Sequence, residues 1–130
     1  MGTWATAPWD NDSGADWFGD MFDNTKLADY VRRTLKDRDP QNDYDEIRAA
    51  ASMVVMLGRV YVWPIDELHK DLSLAAEKLE VLLKVPELNE SADIIASIQE
   101  EIQELRSRMK DSKSQPTQAN TDRKWWQFWK

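Results

Sequence analysis

The feature that most constrains the fold is the spacing of large apolar side chains in the segment that follows Ser91. They recur in alternating steps of three and four residues, which places them on one face of an α-helix. These residues are Ile95, Ile98, Ile102, Leu105 and Met109. Ser91 is a suitable N-cap for this helix. The repeat lasts only about two heptads, so we expect the face to pack inside one domain, with a homodimer seam as the alternative.

A first helix is predicted close to the N-terminus. Residues 11–13, Asn-Asp-Ser, are good N-cap residues, and the apolar side chains that follow indicate a helix ending near Asp23. We expect Trp17, Phe18 and Met21 to point inward. The segment before it, residues 1–11, has no helical periodicity and is predicted to be an irregular arm that packs on the domain.

Two further helices are predicted from Lys26 to about Lys36, capped by Thr25, and from Asp43 to about Val60. The inward face of the earlier helix consists of Leu27, Tyr30, Val31 and Leu35. The later helix has a wider apolar face, formed by Ile47, Ala50, Ala51, Met53, Val54, Met56, Leu57 and Val60. That width predicts that it is the most buried helix of the domain.

The segment from Tyr61 to Trp63 resembles a strand locally, but it stops at Pro64 and has no pairing partner, so it is interpreted as a turn. The following apolar pattern predicts helix up to Val85, with a break near Ser73. Together the segments predict an all-α fold, a compact bundle of about five helices with a Trp-containing N-terminal arm.

The predicted helical domain covers residues 1–110 and is followed by a polar linker at 111–122 and an aromatic, basic tail at 123–130. The tail residues of interest are Arg123, Lys124, Trp125, Trp126, Phe128 and Trp129. Trp and Arg dominate binding hot spots, so the tail is interpreted as an anchor for a partner protein. Two alternatives stay open: the tail packs in a groove of its own domain, or it contacts a membrane interface.

The charge balance limits the classes of partner. Lys and Arg number 17 against 24 Asp and Glu, giving a net charge of −7. Phosphates repel such a chain, so no nucleic acid is expected, whereas a basic protein is attracted. No cysteine is present, which excludes disulfides and thiolate metal sites. The N-terminal residues lack the pattern of a secretion signal, and no apolar run is long enough to span a bilayer, so a cytoplasmic location is expected.

Two groups of residues are candidates for chemistry. The run from Asp10 to Gly14 invites comparison with a calcium loop, but Gly14 arrives one place early and Met21 stands where a bidentate carboxylate is needed. Helix capping explains that run better. The single histidine, His69, is close to Asp66, Glu67 and Asp71, and a surface position is favoured over a base or a metal ligand. We therefore expect no catalytic residue, no metal and no cofactor.

The opening residues resemble the start of a small bacterial family called domain of unknown function 4259. Members begin with Gly-x-Trp and continue with an aromatic residue and Asp-Asn-Asp. The matching residues here are Gly2, Trp4, Trp9, Asp10, Asn11 and Asp12. Ala5 and Ala7 stand where the family has glycine, so the arm is expected to differ in shape. The resemblance implies a helical domain in which the motif is structural, and it transfers no activity.

These observations favour a protein that acts by binding another protein. The small acidic body would suit the neutralisation of a basic partner, as an immunity protein neutralises a bacterial toxin. One alternative is a homo-oligomeric module held together by the last helix or the tail. The other is an enzyme with a dispersed acidic metal site.

Overall fold

The computed structural model describes the backbone of residues 7–119 and the side chains of residues 7–110. Within that range the chain forms six α-helices and no strand, which confirms the predicted all-α class. The helices are α1 (Asp12–Thr25), α2 (Leu27–Asp37), α3 (Tyr44–Leu57), α4 (Ile65–Leu82), α5 (Pro86–Asn89) and α6 (Ala92–Ala119).

Helix α4 is the centre of the bundle, and it packs against α6, α3 and α2. Its buried face meets the buried face of α6, where Ile98 and Leu105 have no exposed surface and Ile102 is 8% exposed. Each fully buried aliphatic side chain contributes about 1.5–3 kcal/mol relative to its exposed state. The apolar face of the last helix is therefore used inside the domain, as predicted.

The predicted break near Ser73 is wrong, because α4 is continuous. Leu68 and Leu72 precede Ser73, and Ala75, Ala76 and Leu79 follow it, all fully buried on the same face. Burial of that continuous face outweighs the weak helix preference of a single serine. At the far end α4 stops at Leu82, and Pro86 is the first residue of α5, where its missing N–H is not needed.

Helix α3 ends at Leu57, three residues before the predicted end. The Gly58 N–H donates to the Val54 carbonyl at 2.7 Å, and a Cβ on Gly58 would lie 2.4 Å from that oxygen. The segment from Tyr61 to Trp63 is a turn, as predicted, with Tyr61 at a φ of 76°. Val62 and Trp63 are buried, so their apolar character reflects core packing rather than a strand.

Some side chains expected in the core are exposed. Trp17 is 62% exposed and Tyr30 is 65% exposed, so their predicted inward orientation is wrong. Met56, assigned above to the apolar face of α3, is 55% exposed. Helix α1 lies at the edge of the bundle and buries only Phe22, whose ring lies 5.1 Å from that of Trp63. An edge helix needs only a narrow apolar stripe, which explains why one aromatic residue of α1 is buried and another is not.

The backbone of residues 111–119 is helical, although the sequence predicts a linker from residue 111. Extending an existing helix adds one hydrogen bond per residue, and only nucleation is costly, so a polar segment can continue a stable helix. The predicted boundary between the linker and the tail lies outside the described residues.

Candidate binding surface around helix α1

The N-terminal arm is fixed to α1 by a capped turn. Asn11 is the N-cap residue, and its Oδ1 accepts a 2.7 Å hydrogen bond from the Gly14 N–H. The Asp10 carboxylate accepts from the Ala7 N–H at 3.0 Å, and the Asp10 N–H donates to the Ala7 carbonyl at 3.0 Å. Asp10 and Asn11 of the opening motif thus accept hydrogen bonds from backbone N–H groups of the arm and of α1 that would otherwise be unsatisfied.

The arm backbone passes closely over the first turn of α1. A Cβ on Gly14 would lie 2.2 Å from the Pro8 carbonyl oxygen, well inside contact distance. Trp9 is half-buried, and its ring meets that of Phe18 edge-on at 6.4 Å. The guanidinium of Arg59 lies 5.0 Å from the Trp9 ring centroid, a cation–π distance. The arm therefore joins α1 to the turn after α3.

Tyr61 lies in that same turn, near the carboxylates that begin α1. Partial burial of its phenol, followed by the negative charges of Asp10 and Asp12, raises the pKa of Tyr61 above its ordinary value. The residue is still 45% exposed. Its partly exposed ring therefore lies beside the surface that the arm and α1 form.

The outer side of α1 is strongly acidic. Its carboxylates are spaced four, four and three residues apart, so at 100° per residue they fall within an arc of about 80°. We call this set the α1 acidic face: Asp12, Asp16, Asp20 and Asp23. All of them are exposed, no Lys or Arg occurs in α1, and none forms an ion pair with another residue among 7–110. The exposed ring of Trp17 lies on the same helix.

A second cluster is buried between α2, α4 and the turn. The Asp71 side chain is 3% exposed, and it accepts from Arg32 Nε at 2.8 Å, Arg32 Nη2 at 2.7 Å and Trp63 Nε1 at 2.8 Å. Arg32 also donates to Glu67 and, at 2.9 Å, to Asp29. Its hydrogen bonds with Asp71 raise the pKa of Arg32 above its already high ordinary value. Both carboxylate oxygens of Asp71 accept hydrogen bonds, so this cluster links α2 and the turn that contains Trp63 to α4.

This cluster was not predicted from the sequence, although one sign of it was present. Asp71 lies on the apolar face of α4, next to Leu72 and three residues after Leu68. A carboxylate in such a position needs buried donors, and a buried tryptophan N–H needs an acceptor. From the sequence, Asp71 is instead one of the carboxylates close to His69. In the structure Asp71 is buried, whereas His69 is half-buried.

Arg108 of α6 holds the end of α3. Its Nη1 donates to the carbonyls of Val54 and Gly58, both at 3.4 Å, and to that of Val55, while its Nε donates to Glu104 at 2.9 Å. Burial, and then the neighbouring Arg59, lower the pKa of Arg108. Among the described residues the buried Nε of Arg59 has no hydrogen-bond acceptor. The two arginines form a local basic junction beside Trp9.

The remaining residues predicted from the sequence lie partly outside the described part of the chain. Gly2, Trp4 and the tail residues Arg123, Lys124, Trp125, Trp126, Phe128 and Trp129 lie outside the described residues, so their roles stay predictions. Asp12 is an exposed residue of the first turn of α1. In the part of the chain whose side chains are described, no group of three or more His, Asp or Glu side chains is arranged to hold a metal ion.

These features define a small helical-bundle protein with a tryptophan-containing arm docked against an acidic edge helix. The chain belongs to the family described as domain of unknown function (DUF4259), whose model matches residues 2–124. The resemblance read from the opening residues is thereby confirmed. The match ends just before Trp125. No curated protein and no solved structure matches the chain. Among residues 7–119, no helix has both the length and the apolar content needed to cross a membrane.

Proposed function

We propose that the protein acts in the bacterial cytoplasm by binding a basic partner protein, without catalysis and without a cofactor, in the way an immunity protein neutralises a toxin. The observation that carries the proposal is the α1 acidic face. Its four carboxylates form no ion pair with residues 7–110. Beside them, Trp17 exposes 62% of its surface. A large exposed ring next to unpaired charge is typical of a binding hot spot with a charged rim.

The charge of α1 also favours fast encounter with such a partner. Helix α1 holds four of the excess negative charges that give the chain its net charge of −7. A concentrated negative surface steers a basic protein toward it, and the effect weakens as salt is added. Affinity then depends on burial of the aromatic rings, because exposed ion pairs alone contribute little.

One helix is too small to be the whole interface. Its 14 residues give a length of about 21 Å, whereas a stable interface buries about 800 Å² on each partner. The partner must therefore contact further surface. Tyr61 adjoins the first carboxylates of α1, and the predicted tail anchor would supply the remaining aromatic area. In this proposal the buried face of α6 takes no part, because Ile98, Ile102 and Leu105 are covered within the chain. That burial favours a binding surface elsewhere over the last-helix version of the homo-oligomer alternative.

The test is an affinity capture from the native cell lysate with three baits of equal length. One bait is the natural chain and one is an α1-neutralised variant. The third is a charge-matched variant with four exposed carboxylates removed from α4, α5 and α6 and their neighbours. The α1-neutralised variant carries Asp12→Asn, Asp16→Asn, Asp20→Asn and Asp23→Asn. The charge-matched variant carries Glu77→Gln, Glu87→Gln, Glu90→Gln and Glu100→Gln.

We expect one stoichiometric basic protein with the natural chain and with the charge-matched variant, and its loss with the α1-neutralised variant. Circular dichroism of each bait controls for folding. Equal loss with both variants would show that net charge alone attracts the protein, which would contradict a site on α1. Capture of no partner at low salt by any bait would overturn the binding function itself.

A further inference from the structure

We propose that helix α1 is a lid that opens as a unit about Lys26 and uncovers a preformed aromatic surface at Trp63. Three features of the closed state support this opening: the few contacts that hold α1, the single residue that joins α1 to α2, and the hydrogen bonds that hold Trp63 without α1. The opening is a property of the free chain and needs no partner. Its tests use the purified protein alone, so the lid can fail while lysate capture still finds a partner, and the reverse.

Helix α1 is held to the bundle by aromatic rings rather than by close helix packing. The helix pairs that pack closely are formed by α2, α3, α4, α5 and α6. Phe22 is the one buried residue of α1, and its ring centroid lies 5.1 Å from that of Trp63. Phe18 is half-buried and meets the Trp9 ring. No ion pair joins α1 to another residue among 7–110, so separation of Phe22 from Trp63 removes the main contact of α1.

A single residue connects α1 to α2. Lys26 is both the C-cap residue of α1 and the N-cap residue of α2, with a φ of 57° and a ψ of 28°. This left-handed conformation is disfavoured for a residue with a Cβ. The Lys26 N–H donates to the Phe22 carbonyl at 3.3 Å, and the Lys26 carbonyl accepts from the Tyr30 N–H at 3.1 Å. Rotation about Lys26 can therefore move α1 away while both helices keep their internal hydrogen bonds.

The surface beneath α1 is held in place by groups outside α1. Trp63 is 2% exposed, and its Nε1 donates to Asp71 at 2.8 Å. Asp71 belongs to α4 and accepts from Nε and Nη2 of Arg32, a residue of α2, at 2.8 and 2.7 Å. Helices α2 and α4 also pack against each other. Because none of these contacts involves α1, the Trp63 ring keeps its position when Phe22 leaves. Opening therefore uncovers an ordered ring and does not unfold the domain.

The first measurement is native-state hydrogen exchange of the full chain by NMR, from zero to sub-denaturing urea. A lid that opens as a unit gives the amides of residues 16–25 one shared opening equilibrium with a shallow urea dependence, because little surface is exposed. We expect their protection factors to be about tenfold or more below those of residues 68–79 and 98–105. The Trp63 indole N–H should stay protected with the slower group. Protection that decreases steadily toward the ends of α1 would indicate fraying and would overturn the proposal.

A core variant separates the lid from global unfolding. Ile98 of α6 has no exposed surface, and Ile98→Val destabilises the closed and the open states equally, relative to the unfolded chain. We expect this variant to lower the protection of residues 68–79 by roughly two- to tenfold. The protection of residues 16–25 should not change, because the lid opens without disturbing α6. An equal fall in both groups would show that α1 unfolds only with the whole bundle, and would overturn the lid.

Two leucine variants of α1 then test what closes the lid. Phe22→Leu removes the ring that contacts Trp63, whereas Trp17→Leu removes a larger ring that is 62% exposed. Phe22→Leu destabilises the closed state relative to both the open state and the unfolded chain. We therefore expect it to lower the protection of residues 16–25 and of residues 68–79 by the same factor, about threefold or more. Trp17→Leu should have a smaller effect on both groups. Unchanged protection of residues 16–25 in Phe22→Leu would overturn the assignment of Trp63 as the surface beneath the lid.

Discussion

At the scale of single residues, Asp71 is the polar group whose replacement should cost the most stability. Asp71→Asn removes the negative charge that faces the guanidinium of Arg32, whose side chain is 17% exposed. Breaking a buried ion pair by removing one partner costs about 3–5 kcal/mol, and the lower end applies here because Arg32 keeps its more exposed partners Glu67 and Asp29. We therefore expect the free energy of unfolding to fall by about 3 kcal/mol. Urea denaturation at pH 7, followed by circular dichroism, measures the change.

The matched control for Asp71 is Glu67→Gln. Glu67 also accepts from Arg32, but its side chain is 37% exposed and solvent can replace it. We expect a loss below about 1 kcal/mol. Equal losses for the two variants would mean that burial of Asp71 does not determine its contribution.

Two glycines of α1 form a second matched pair. Gly14→Ala places a Cβ 2.2 Å from the Pro8 carbonyl oxygen, so the arm must move away from the helix. Gly19→Ala meets no atom within 4 Å and replaces a poor helix former with the best one. We expect the midpoint of thermal unfolding to fall for Gly14→Ala. For Gly19→Ala we expect the free energy of unfolding to rise by about 0.5–1 kcal/mol. If both variants stabilise the protein, the arm is not held against α1.

Tyr61 gives the local surface a titration that can be followed by NMR. Partial burial, and then Asp10 and Asp12, raise its pKa above the ordinary value of about 10. Since the folded state binds this proton more tightly than the unfolded state, the stabilisation is complete below pH 10 and is lost as pH rises through the folded pKa. Asp12→Asn should lower the pKa of Tyr61 without returning it to the ordinary value. The ¹³Cζ shift against pH measures it, and an unchanged midpoint would contradict the proximity of Asp12.

At the scale of helices, the sequence predicts well where caps and periodicity agree. Asn11 caps α1, and Ser91 accepts from the Ile94 N–H at 3.3 Å at the start of α6, both as expected. Helix ends depend on contacts that are distant in sequence, as with Arg108 and α3. The exposure of Trp17 could not be read locally, because periodicity shows which residues share a face and not how much of that face is covered.

The candidate site was predicted only in part, for the same reason. The capping role of the Asp10–Asp12 segment could be read from its residue types, since Asx side chains accept from nearby backbone N–H groups. The acidic face of α1 was visible as spacing, but its lack of ion pairs depends on where Lys and Arg lie in the fold. The links from Trp9 to Arg59 and from Arg32 to Asp71 join residues 39 or more positions apart, beyond any local pattern.

Two ion pairs hold α6 to its neighbours with different strength. Arg48 of α3 donates from Nη2 to Glu101 and to Ser97, both at 3.0 Å, and the side chains of Arg48 and Glu101 are 28% and 22% exposed. The Arg106–Glu80 pair to α4 is 48% and 49% exposed. We expect Arg48→Met to lower the free energy of unfolding by about 1–2 kcal/mol and Arg106→Met to lower it by less than about 1 kcal/mol. Urea denaturation measures both changes. The reverse order would show that α6 is held mainly at its exposed edge.

At the scale of the whole molecule, the excess of negative charge should oppose folding. The net charge is −7, and on α1 the carboxylates repel one another at spacings of three and four residues. Added salt screens this repulsion, and it also weakens exposed ion pairs, which contribute little to begin with. We therefore expect the thermal midpoint to rise by about 2–5 °C between 0.02 M and 0.5 M NaCl.

The same two charge variants locate that repulsion. Each removes four negative charges, so a repulsion spread over the whole molecule would give both variants the same higher midpoint in low salt. Because α1 concentrates its charges on one narrow face, we expect the α1-neutralised variant to gain more and to respond less to salt. Scanning calorimetry of the three chains in parallel measures both effects. A midpoint that falls as NaCl is added would instead mean that ion pairs such as Arg48–Glu101 outweigh the repulsion, and the acidic face would then carry no measurable cost in the free protein.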